Sequence, residues 1–124
     1  MYIRKTTPGI QWDGKGGGYD MLVMEVAKHS PESCPEYSDK YRAVTLKWFE
    51  TANANCAKFG VKMIGFWNDH PSHTVYMLFD APNMDAMMGL MMTPETMAMM
   101  SFQKITTFPV FDFKQTWDMI KGSK

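Results

Sequence analysis

The chain has 124 residues, a length that suggests one domain with a modest core. Thirteen basic residues balance thirteen acidic ones, which argues against a nucleic-acid-binding protein, because such proteins usually carry a basic surplus. Hydrophobic residues make up 45% of the chain and charged residues 21%, which excludes a disordered chain, and no apolar run approaches the roughly 20 residues of a membrane helix.

Residues 1–20 are predicted to form an irregular arm, because glycines and a proline interrupt any periodic pattern. Residues 21–124 are expected to form a single domain. The arm holds no apolar segment of the kind that a secretory signal needs. Two cysteines, Cys34 and Cys56, are too few for a disulfide scaffold, so we expect a reduced, cytoplasmic protein.

The domain is predicted to open with a strand over 21–29, in which Glu25 and His29 share one face. A loop with two prolines follows over 30–37. A helix then begins at residue 38 or 39, and its apolar positions recur every three or four residues until about residue 59. Gly60 stands where a helix commonly ends.

Three strands and three helices are predicted in the second half of the chain, and proline or asparagine begins two of the helices. They are a strand over 61–68, a strand over 73–80, a helix from Pro82 and Asn83, a helix over 94–102, a strand over 104–111 and a short closing helix over 112–121. The fold class is therefore α+β, with the ferredoxin-like order β-α-β-β-α-β and a four-stranded antiparallel sheet ordered fourth, first, third, second.

The first three strands carry apolar residues on both faces, whereas the helices of this arrangement cover only one face of the sheet. An exposed face of that composition would be a large apolar patch. We therefore expect a homodimer in which two sheets pack face to face and form one barrel.

The pattern resembles the dimeric α/β-barrel superfamily over roughly 21–111. Within it, the run from His29 to Pro35 resembles the His-x-Pro-Glu-x-Cys-Pro loop of a small uncharacterised group, whose third strand begins with a run like His73-Thr74-Val75-Tyr76. The superfamily includes cofactor-free monooxygenases, muconolactone-isomerase-like proteins, haem-degrading enzymes and stress-responsive barrels. The resemblance implies a dimeric barrel and does not select one activity.

All three histidines and one cysteine are expected at one end of the sheet, because the end of the first strand neighbours the start of the third. These residues are His29, Cys34, His70 and His73. Imidazole and thiolate are preferred ligands of zinc and copper, so one interpretation is a metal site. Alternatively, the histidines line a pocket without metal, or His29 or His73 activates Cys34 as a nucleophile.

Glu25 lies in an otherwise apolar strand, so we expect a buried carboxylate with a raised pKa. Beside His29 or His73 it could act in proton transfer on an enol or lactone. The alternative is a structural carboxylate that pairs with a lysine or tyrosine across the dimer.

Four residues around the second and third strands are candidates for pocket walls: Phe66, Trp67, Asn68 and Tyr76. Eight of the fourteen methionines lie between Met84 and Met100, which favours an adaptable helical core face with a flexible lid, although thioethers also bind Cu(I).

These observations lead us to expect a protein that binds a small hydrophobic or aromatic molecule beside the sheet. Conversion of that ligand would be cofactor-independent, like that of a monooxygenase or isomerase, with Glu25, His29 and His73 as catalytic residues. The competing hypothesis is a metal-binding or sensing protein that holds zinc or copper through His29, Cys34, His70 and His73. Neither hypothesis involves nucleic acid or a membrane.

Overall fold

The computed structural model describes residues 18–122, and within them four strands and four helices follow the predicted order. The elements are β1 (Leu22–Lys28), α1 (Asp39–Lys58), β2 (Lys62–Asp69), β3 (Thr74–Asp80), α2 (Met84–Met91), α3 (Pro94–Met100), β4 (Lys104–Val110) and α4 (Phe113–Gly122). A short 3-10 turn, Pro31–Ser33, lies in the predicted loop. The arm predicted for 1–20 lies outside the described residues, apart from its last three positions.

The four strands form one antiparallel sheet in the order β2-β3-β1-β4. This is the predicted order read from the opposite edge, so the predicted α+β class and strand arrangement are confirmed. Two short helices, α2 and α3, occupy the place of the second helix of the motif. They are separated at Thr93 and Pro94, because proline is accommodated in the first turn of a helix but disrupts a helix interior.

Local sequence signals set the helix ends. The Ser38 hydroxyl accepts a hydrogen bond from the Tyr41 backbone N–H at 3.2 Å and caps α1. The Asn83 side chain accepts from the Ala86 N–H at 2.9 Å and caps α2 in the same way. Gly60 follows α1 with a φ of 69°, a left-handed conformation that glycine adopts without steric cost.

The core lies between α1, α2 and α3 and one face of the sheet. The sheet contributes Val23, Ala27, Val75, Met77 and Phe79, and the helices contribute Trp48, Ala52, Cys56, Met87, Leu90 and Met99. The methionine-rich segment therefore divides between buried Met87 and Met99 and surface positions such as Met92, which is 65% exposed.

The opposite face of the sheet, which we call the open face, carries Val26, Trp67 and Tyr76 as neighbours across three strands. The Trp67 indole lies over Gly65, so closely that any Cβ at that position would collide with the ring. Tyr76 and Phe108 on this face are each 38% exposed. The open face is thus partly apolar.

Helix α4 begins with a reciprocal cap in which Asp112 and Gln115 exchange backbone-to-side-chain hydrogen bonds of 2.8 and 2.7 Å. None of its residues is buried, and Trp117 and Ile120 are 56% and 71% exposed. Within residues 18–122, no helix is both long and apolar enough to cross a bilayer.

Candidate metal centre

The register of the central strand pair brings His29 and His73 together. Lys28 and Thr74 form the last regular pair of β1 and β3, so the next pair outward is His29 with His73. The His29 N–H donates to the His73 carbonyl at 3.2 Å and extends the ladder by one bond. The two imidazole rings meet edge to face, with centroids 5.3 Å apart.

His73 has a φ of 54°, and it is the one non-glycine residue between 18 and 122 with a positive φ. A left-handed backbone costs an ordinary residue about 1–2 kcal/mol, so surrounding contacts must hold it. The His73 N–H donates to the His70 carbonyl at 3.1 Å, and the neighbouring Ser72 hydroxyl donates to Asp69 Oδ2 at 2.7 Å. Such strain is typical of functional positions.

Cys34 reaches the two histidines from the loop between β1 and α1. Its side chain is 3% exposed, and its carbonyl accepts hydrogen bonds from the N–H groups of Tyr37 and Ser38, both at 2.9 Å. Arg42 holds the same loop from α1, because its guanidinium donates to the carbonyls of Pro35 and Glu36 at 3.1 and 2.7 Å. The loop is therefore a fixed structure that presents a buried thiol.

His29, Cys34 and His73 place one potential ligand atom each within 4.8 Å of one another. Donor atoms that share a tetrahedral zinc ion lie about 3.5 Å apart, given bonds of about 2.0–2.3 Å. The three atoms would therefore approach one another by up to about 1.3 Å on sharing an ion. His70 is not in this group, because its Nδ1 pairs with the Glu36 carboxylate at 2.8 Å.

The imidazole nitrogens of the group lack ordinary partners. Neither nitrogen of His29 nor Nδ1 of His73 forms a hydrogen bond, although all three atoms are buried. Native proteins satisfy nearly all buried polar atoms, so orphaned nitrogens call for an explanation such as a bound ion.

The electrostatic environment of His29 favours its neutral form. Burial lowers the pKa of His29 below its ordinary value of 6.5, and the charges of His73 and His70 lower it further. The nearby Gln103 side chain acts in the opposite direction, although it makes no hydrogen bond of normal geometry to the ring. A neutral imidazole is the form that binds a metal.

A cavity of about 170 Å³ adjoins the three residues. Its walls are mostly apolar and include Pro35, Phe49, Phe66, Val75 and Met99. Its polar groups are Thr45, Asn68, Gln103, Glu36 and His70, and the last two are in contact at 2.8 Å. The Gln103 amide nitrogen donates to the Met99 carbonyl at 2.9 Å, which fixes that side chain.

Two of the four predicted pocket residues, Phe66 and Asn68, line this cavity. Trp67 and Tyr76 do not, because they point to the open face. Alternation along a strand sends neighbouring residues to opposite faces, so Phe66 and Trp67 could not both line one pocket.

Glu25 is buried with 6% exposure, as expected, and burial raises its pKa above 4.5 while a 3.1 Å hydrogen bond from Thr107 Oγ1 partly offsets this. The carboxylate does not line the cavity. Glu25 and His29 are four positions apart along the strand, a distance of about 13 Å, so the two cannot form a direct acid/base pair.

Sequence reasoning missed Thr45, Phe49, Met99 and Gln103 as cavity residues. Thr45 and Phe49 lie on α1, four residues apart and therefore on one face, which is a signal that was present in the sequence. Gln103 follows α3, and only the packing of that helix against α1 reveals its position.

Comparisons with family models, with curated proteins and with solved structures find no match for this chain. The structure supports a small α+β fold with a four-stranded antiparallel sheet. Because one fold can host many functions, the functional evidence lies in the geometry and chemistry of the site.

Proposed function

We propose that this protein binds a transition-metal ion through His29, Cys34 and His73. The observation that carries the proposal is the convergence of the three ligand atoms within 4.8 Å, with three of the four imidazole nitrogens buried and unsatisfied. The left-handed backbone of His73, in the turn between β2 and β3, fixes the place of its ring beside His29.

Zinc and copper are the ions that suit two imidazoles and one thiolate. Three protein ligands leave a coordination position for a further molecule, as in catalytic rather than structural zinc sites. A bound ion would supply a Lewis acid at the edge of the cavity. The protein's own residues would orient the ligands: the Arg42-held loop fixes Cys34, and the β1–β3 register fixes the two histidines.

The test is metal analysis of protein purified without a histidine tag, followed by titration of metal-free protein with Zn²⁺, Cu⁺ and Co²⁺. We expect one ion per chain and, for Co²⁺, the absorption of a tetrahedral thiolate-bound ion. Protein that takes up no stoichiometric ion, under reducing conditions that keep Cys34 as a thiol, would contradict the proposal.

Binding of a small apolar molecule remains compatible with this function, because the cavity adjoins the proposed centre. Cofactor-independent oxygenation or isomerisation is less well supported, since Glu25 is bonded to Thr107 and lies outside the cavity. We therefore favour a bound metal ion over the Glu25 carboxylate as the group that would carry out any reaction.

We further propose that two copies pair through the open face and α4. Trp117 and Ile120 lie three residues apart on α4 and are more than half exposed, and Tyr76 and Phe108 are exposed on the open face. Exposed apolar surface of this kind is typical of protein interfaces. Light scattering at micromolar concentration should give twice the chain mass, and a monomer would contradict this part.

A further inference from the structure

The proposed metal centre adjoins a partly open pocket, and the size and polarity of this pocket restrict what can bind beside the ion. Resting on the proposed function, we infer that the open coordination position takes a small organic anion, about one aromatic ring in size, whose anionic atom binds the ion and whose apolar body fills the cavity.

The size follows from the cavity volume. At about 170 Å³ the cavity is smaller than the roughly 300–1,000 Å³ of ordinary ligand pockets. Engineered apolar cavities of about 150 Å³ hold one benzene molecule. A single ring therefore matches the volume of the pocket, and a larger body would extend from its mouth into solvent.

The apolar character follows from the walls. Phe66 and Val75 rise from the sheet, Phe49 and Met99 come from the helices, and Pro35 closes the side nearest the Cys34 loop. Water in such a space would find few partners, so an apolar body that displaces it is favoured. Asn68 and Gln103 are neutral and can orient a ligand without selecting its charge.

The charge follows from the ligand set. A divalent ion bound by one thiolate and two neutral imidazoles retains one positive charge, and a buried charge needs compensation. Among the residues that line the cavity, the one carboxylate is Glu36, and it is already paired with His70 at 2.8 Å. An anionic ligand would supply the missing charge.

The experiment uses cobalt-loaded full-length protein and follows its visible d–d absorption as three probes are added. Benzoate has both ring and charge, acetate has the charge without the ring, and benzamide has the ring without the charge. We expect benzoate to bind about tenfold or more tightly than acetate, because burial of a ring contributes on that order. It should also bind more tightly than benzamide, because benzamide lacks the charge that compensates the ion.

The cavity is tested by Phe49→Ala, which removes a wall residue that is already 47% exposed and so should leave the fold intact. This variant should weaken benzoate binding several-fold, with acetate and metal binding unchanged. Leu46→Ala is the matched control, since Leu46 lies on the same helix, is 50% exposed and does not line the cavity.

The outcomes separate the two proposals. Failure to bind cobalt overturns the proposed function and this inference together. Cobalt binding with spectra that no probe perturbs overturns the inference alone, as does equal affinity for benzoate and acetate or for benzoate and benzamide. Benzoate binding that does not require the metal overturns it as well.

Discussion

The N–H of His29 donates to the carbonyl of His73 one step beyond the last regular pair of β1 and β3, and the two rings lie 5.3 Å apart. The backbone ladder therefore positions both imidazoles. Cys34 completes the group from a loop that Arg42 holds in place. Each of these contacts leads to a measurable expectation.

Replacing Cys34 by serine keeps its size and removes the thiolate. We expect the affinity for zinc to fall at least about a hundredfold, since even loss of an outer partner of a metal ligand costs 10–100-fold. The cobalt form should also lose its thiolate charge-transfer absorption. Cys56→Ser is the control, because Cys56 is equally buried but lies in the core, away from the group. Equal effects of the two substitutions would exclude Cys34 as a ligand.

His73→Gly should separate function from stability. Glycine relieves the left-handed backbone at a φ of 54°, so the metal-free variant should be at least as stable as the parent, by up to about 1 kcal/mol in denaturant unfolding. Its metal affinity should nevertheless collapse. A variant that is clearly destabilised, yet binds metal normally, would show that the strained histidine serves the fold.

Arg42→Met retains the apolar stem of the side chain and removes the donors to Pro35 and Glu36. The Cys34 loop should loosen, and we expect metal release to a competing chelator to accelerate about tenfold, the lower end of effects seen for outer partners. Lys40→Met, in the first turn of the same helix, is the matched substitution. Unchanged release from the Arg42 variant would mean that the loop needs no support from α1.

Glu25→Gln should change the pH dependence of stability. The pKa of Glu25 is raised by burial, so the folded state holds its proton more tightly than the unfolded state, whose value is near 4.5. The free energy of unfolding of the parent should therefore fall as pH rises from about 4.5 through the folded pKa. The free energy of unfolding of the glutamine variant should not show this decline. It should equal that of the parent near pH 4 and exceed it near pH 7. The exposed Glu50→Gln offers the control, and a parallel pH profile for Glu25→Gln and the parent would contradict the expectation.

Trp117→Ser tests the proposed pairing of two copies. A buried tryptophan at the centre of an interface commonly contributes 2 kcal/mol or more, and a two-fold dimer loses it from both copies, so the dimer dissociation constant should rise at least about thirtyfold. Sedimentation at graded concentrations measures this directly. Asp118→Ser, which lies about 100° around α4 from Trp117, should have little effect, and equal dissociation of both variants would place the interface elsewhere.

Local sequence determined the elements of the fold. Ser38, Asn83 and Gly60 mark helix ends by hydrogen bonds and backbone conformations that involve only a few neighbouring residues. The antiparallel topology then required that the end of β1 meet the start of β3. The proximity of His29 and His73 could therefore be predicted from the sequence.

The faces of the sheet could not be assigned in this way. Alternation shows that Phe66 and Trp67 point in opposite directions, but with apolar residues on both sides it does not say which side the helices cover. A register shift between Met63 and Gly65 also interrupts the regular alternation of side chains along β2. Packing of α1 on the Phe66 side decided that Trp67 and Tyr76 lie outside the cavity.

The tertiary structure also decided which of the four predicted metal ligands converge: His29, Cys34 and His73 do, and His70 does not. His70 and His73 are three residues apart, and the sequence offers no reason to prefer either one. A carboxylate from another loop, that of Glu36, pairs with His70, while the left-handed backbone at residue 73 brings its ring towards His29 and Cys34. The residue types that gather at this end of the sheet could be predicted from the sequence, because their placement depends on topology. Which atoms meet depends on turn conformation and on charges from distant segments, and only the folded chain brings these together.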